Sequence, residues 1–91
     1  MVPRTSGLPG SELVEDGLRD LADGRYTVAA LLVSIGAPRL RQLGFDVAAP
    51  IADADHALYA LLAADDPDSA HGRYNALVRR LVSFERAACV G

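Results

Sequence analysis

The sequence predicts an all-α domain: a compact bundle of four or five helices that ends in an antiparallel helical hairpin. Three observations carry this reading. No stretch alternates apolar and polar residues with the period of two that a half-buried strand would show. Apolar residues recur instead at steps of three and four from Leu13 onward. Gly, Pro and Asp stand where those runs stop and restart: Asp23-Gly24, Gly36-Ala37-Pro38, Gly44 and Asp65-Asp66-Pro67.

A chain of 91 residues holds one domain. Residues 1–10 carry two Pro and two Gly without periodicity and read as a flexible N-terminal arm, ahead of a single helical domain over 11–91. In the first helix Ser11 serves as N-cap, with Glu12, Glu15 and Asp16 near the positive end of the helix dipole. Leu13, Val14, Leu18 and Leu21 form its apolar stripe. Gly17 falls on that stripe and costs about 1 kcal/mol against Ala, which close approach by another helix would compensate. Gly24 suits the left-handed residue that ends such a helix.

The second helix, from Tyr26 or Thr27, contains VAALLVSI and is apolar nearly all round, so it is the central, buried one. Gly36 stops it, and Ala37, preceding a proline, is pushed out of the α region. Pro38 opens a short third helix to Leu43, closed by Gly44 with Phe45 behind it. An irregular link over Asp46–Ala52 leads to a fourth helix capped by Asp53, with Leu58, Leu61 and Leu62 on its stripe. Asp66 caps and Pro67 opens the last helix, along which Tyr74, Leu77, Val78, Leu81, Phe84 and Ala88 repeat at threes and fours.

Composition narrows the function. Half the residues are apolar but only 5% are aromatic and Trp is absent, so the core is built from small side chains and gains little per residue. A domain of this size is helped by burying a face against a second copy, which makes a homodimer the expected assembly. All nine basic residues are Arg. Without Lys there is neither a Schiff-base lysine nor a Walker-type phosphate loop. A net charge of −3 argues against nucleic acid as the main partner. Cys89 is a lone thiol, Met1–Gly10 has no apolar signal-peptide core, and the longest apolar run, Val28–Ile35, is far short of the ~20 residues of a membrane span. These features point to a cytoplasmic protein that does not meet a membrane.

The most specific stretch is VSIGAPRLRQLG, Val33 to Gly44. As a degenerate helix-turn-helix over 27–43, it would offer Arg39, Arg41 and Gln42 to DNA. Against this stand a second helix of about one and a half turns and six Asp between Asp46 and Asp68. Helix start and stop account for Pro38 and Gly44, and a bundle corner is the better reading. On the last helix, Tyr74, Leu77, Leu81 and Phe84 are candidate core or interface anchors, with Arg73, Arg80 and Glu85 as a charged rim. Glu85 falls within the apolar sector, so it pairs with an Arg or lies at an exposed helix end.

The stretches DADH (Asp53–His56) and DDPDSAH (Asp65–His71) invite a metal. A calcium loop would need Glu at its twelfth position, where Ala76 or Leu77 stands, and His56 and His71 are not expected to sit opposite each other. Neither a metal nor a cofactor is called for. Cys89 has no nearby His and Ser34 lies in an apolar run, so no nucleophile is set up and an enzyme is the less favoured reading. The sequence therefore points to an accessory protein-interaction module that self-associates. A DNA-binding regulator, and a small-molecule sensor or minor enzyme with a pocket between helices, are the alternatives.

Overall fold

The computed structural model describes residues 10–90, with side chains through Ala88. The arm expected over 1–10, apart from Gly10, and the thiol of Cys89 lie outside the described residues. Five helices follow in order: α1 (Ser11–Ala22), α2 (Val28–Ile35), α3 (Ala37–Gln42), α4 (Ala54–Asp65) and α5 (Ala70–Val90). The radius of gyration is 12.6 Å, close to the roughly 12 Å of a folded chain of this length. The all-α bundle and the terminal α4–α5 hairpin are therefore as the sequence predicts.

Because α2 is apolar all round, it takes the centre. It packs against each of the other four helices, and Ala30, Leu31, Leu32 and Val33 are all buried. Around it, α1 contributes Val14 and Leu21, α3 Leu40, α4 Leu58 and Leu62, and α5 Leu81 and Phe84. Phe45 and Val47, from the link after α3, complete the core, with Phe45 edge-on to Phe84 at 5.4 Å. Two short polar ties hold that link in place. Ser34 Oγ donates to the Ala30 carbonyl (2.8 Å) and accepts from Ile51 N–H (3.0 Å). Arg41 Nη2 donates to the Val47 carbonyl at 2.8 Å.

Helix ends follow local chemistry, with four departures from expectation. At Gly24 and Gly44, both at positive φ, the chain closes by 6→1 bonds, Arg25 N–H to Asp20 carbonyl and Phe45 N–H to Leu40 carbonyl. The N-cap of α1 is Gly10, not Ser11: its left-handed backbone lies against the Arg80 carbonyl of α5, where a side chain has no room. Ala37 is the first residue of α3 despite preceding Pro38, because Gly36 takes the bend and Ala37 gains a buried place. Asp53 is N-cap of α4 in position only; its φ is 52° and its side chain makes no capping bond. Pro67 opens a turn rather than α5: Asp66 Oδ1 accepts from Asp68 N–H (3.2 Å), closing an Asx-turn, and the helix starts at Ala70.

Thr27 does cap α2, and it does more. Its Oγ1 accepts from Ala30 N–H at 3.1 Å and donates to Asp20 Oδ2 of α1 at 2.6 Å. Thr27→Ala removes both bonds and is expected to cost about 1–2 kcal/mol, read as a lower urea midpoint. Thr27→Ser, which keeps the hydroxyl, is expected to restore most of it.

Candidate functional site

The hairpin places chemistry-bearing side chains of α4 opposite those of α5. On α4, Asp55 and Tyr59 are one turn apart and share a face, with His56 beside them. The turn over 66–69 brings α5 back antiparallel, so His71, Tyr74 and Asn75 meet that face. Together they line an open groove of about 450 Å³. Tyr59 and Tyr74 rings are 5.8 Å apart and tilted at 57°, and His71 stands edge-on to Tyr59 at 6.4 Å. The Asn75 side-chain amide and His71 Nε2 lie 3.2 Å apart, within hydrogen-bond distance. Tyr59 keeps 40% of its surface exposed, while Tyr74 is half-buried and reaches the core.

Beyond the groove, Arg73 Nη1 lies 2.9 Å from Asp65 Oδ2, an exposed ion pair that ties the start of α5 to the end of α4. Asp55 and Tyr74 also border a second hollow of about 430 Å³, with Ser34, Ile51 and Asp53 on its walls. Among the described residues no Arg lines either hollow. Among the described residues no three His, Cys, Asp or Glu side chains come together as a metal site. His56 and His71 both line the groove, with the Tyr59 ring rather than His56 set against His71.

The sequence candidates on α5 divide between interior and surface. Leu81 and Phe84 are taken up by the chain's own core, at 3% and 0% exposure. Leu77 is half-buried against that core and Tyr74 forms a groove wall. Arg73 is engaged with Asp65, and Arg80 is exposed on the flank of α5 turned away from Asn75. The three polar candidates of the α2–α3 corner make contacts within the chain. Arg41 is bonded to Val47, and Arg39 Nη1 donates to Gln42 Oε1 at 3.3 Å. Asp55, His56, Tyr59, His71 and Asn75 were not singled out together by sequence reasoning. Their signal was present: Asp55/Tyr59 and His71/Asn75 are i, i+4 pairs flanking one short turn.

Glu85 is neither at an exposed end nor fully satisfied. Its Oε2 points at Gly36, where a Cβ would come within 3.1 Å, and is the one buried side-chain polar atom without a hydrogen-bond partner among the described residues. Burial pushes its carboxyl above the ordinary carboxylate range, with Arg39 pulling more weakly the other way. The folded chain thus holds this proton more tightly than the unfolded chain. Its contribution to stability is full below the ordinary carboxylate range and declines as pH rises through it toward the raised folded value. Glu85→Gln is expected to raise the urea midpoint at pH 7 and to match the parent below about pH 4. Parallel pH profiles of the two proteins would overturn this.

No protein-family model matches the chain, and no curated protein or solved structure is similar to it. The class defined by fold and site is a small five-helix domain with an aromatic groove on its terminal hairpin.

Proposed function

We propose that the chain is a small helical interaction module that works through the groove-bearing face of its α4–α5 hairpin and self-associates there. The observation that carries this reading is the exposed Tyr59 on the rim of a concave surface that the described side chains leave open. Apolar surface continues along the same flank of α5. His71, Asn75, Val78 and Val82 stand at i, i+4, i+7 and i+11, and Val82 is 37% exposed. Concave, aromatic-lined patches of this kind mark binding surfaces more often than scattered exposed residues do.

A second copy suits this face because the face carries both signs of charge. Asp55 sits in the groove, and Arg79 follows Asn75 by one turn of α5. In a two-fold contact each group meets the other's counterpart, so both pairings form at once. Catalysis gains no comparable support, since no nucleophile in the groove is hydrogen-bonded to a base.

Sedimentation equilibrium over a concentration series tests the reading. The parent is expected to follow a monomer–dimer curve, and Tyr59→Glu to remain monomeric with its thermal stability at low concentration unchanged. A parent chain that stays monomeric up to its solubility limit would remove self-association.

A further inference from the structure

We infer that the chemical group this groove accepts is an organic cation, and that in the self-associated protein it is the Arg79 guanidinium of a second copy. The inference rests on the reading of the groove as the working surface and adds what that surface selects.

Two tyrosine rings tilted at 57° with centroids 5.8 Å apart make two non-parallel walls, and the His71 ring, inclined 62° to Tyr59, makes a third. Aromatic faces carry negative potential and attract cations that lie over them. Asp55 adds a full negative charge one turn from Tyr59, and it makes no ion pair or hydrogen bond among the described residues. Asp53 borders the adjoining hollow, so the negative charge extends past the groove's end. The polar groups of His71 and Asn75 are turned on each other. Among the described residues an anion would meet Asp55 and no Arg, and a metal ion would find no cluster of three ligands.

What remains is a weakly hydrated, flat or alkylated nitrogen cation that can lie on a ring while facing a carboxylate. Guanidinium fits that description better than ammonium. It is also the head of every basic side chain in this sequence. Arg79 is exposed on α5, one turn beyond Asn75, on the same face as the groove it would fill in a two-fold partner.

The test uses methylguanidinium against methylurea, a neutral molecule of the same planar shape, with the tyrosine ring resonances read by NMR. Methylguanidinium is expected to shift Tyr59 and Tyr74 and to bind about tenfold tighter than methylurea. Asp55→Asn is expected to abolish most of that difference, and Tyr59→Leu to weaken methylguanidinium several-fold; both positions are exposed, so neither change opens the core. Equal affinity for the two probes, or no shift at either tyrosine, overturns the cation site. Sedimentation of Arg79→Ala decides the source. Loss of the dimer, with methylguanidinium binding intact, supports the second copy. An unaltered dimer overturns Arg79 as the guest, and a monomeric parent that still selects methylguanidinium keeps the cation site while removing the self-association reading. A dimer broken by Tyr59→Glu but indifferent to methylguanidinium keeps that reading and overturns the cation.

Discussion

Gly17→Ala is expected to destabilise the protein by about 2 kcal/mol, although helix propensity alone would stabilise it by about 1 kcal/mol. A Cβ at this position would lie 2.3 Å from the Ala29 carbonyl oxygen and 2.7 Å from Val33 Cγ1. The first of these is backbone, so α1 and α2 must move apart along their whole contact rather than one side chain turning aside. Val14 and Leu21, both buried on the same face of α1, would lose packing as the helices separate. At roughly 4–8 °C per kcal/mol for a domain of this size, the melting temperature is expected to fall by about 10 °C. Gly17→Val, with two further carbons at the same place, is expected to cost more. Thermal unfolding followed by circular dichroism checks both. An alanine variant more stable than the parent would show that propensity, and not the α1–α2 approach, governs the position.

The sequence makes this close approach legible. A glycine on the apolar stripe of a helix has a cost that only a near neighbour repays, and Gly17 has that neighbour in Ala29. The same logic of period and punctuation recovers all five helices, the central place of α2 and the hairpin. What periodicity leaves unread is which of two local options a helix end takes. Asp66 is a good cap by residue type, yet its carboxylate closes an Asx-turn on Asp68, and the helix waits three residues. Gly10 displaces Ser11 because of the Arg80 carbonyl beside it, and that contact spans the length of the chain. The groove is harder for the same reason. Each of its residues looks ordinary on its own helix, and its shape depends on the register with which the turn over 66–69 sets Tyr59 against His71 and Tyr74. Register is a product of turn geometry and of the apolar residues each helix sends into the core, Leu58 and Leu62 from α4 and Ala70, Leu81 and Phe84 from α5. No single position announces it.

Phe84→Ala is the substitution expected to cost most, about 3–5 kcal/mol. The ring is fully buried, it is one of only two phenylalanines, and the other, Phe45, stands edge-on to it at 5.4 Å. Truncation removes the apolar transfer energy of the ring, leaves a cavity beside Phe45, and ends the aromatic contact to the link after α3. A chain of this length has on the order of 5–14 kcal/mol of total stability, so one residue carries a large share of it. Where the loss appears matters as much as its size. A residue buried inside one chain lowers the melting temperature by the same amount at every protein concentration. A residue that anchors a dimer lowers it by an amount that varies with concentration, because association stabilises by mass action. Thermal unfolding of Phe84→Ala and the parent at two widely separated concentrations distinguishes these. The full burial of Phe84 predicts equal losses, whereas Tyr59→Glu, on the groove rim, is expected to separate from the parent only as concentration rises. A Phe84 loss that grew with concentration would move the anchor of self-association from the groove to the core face of α5.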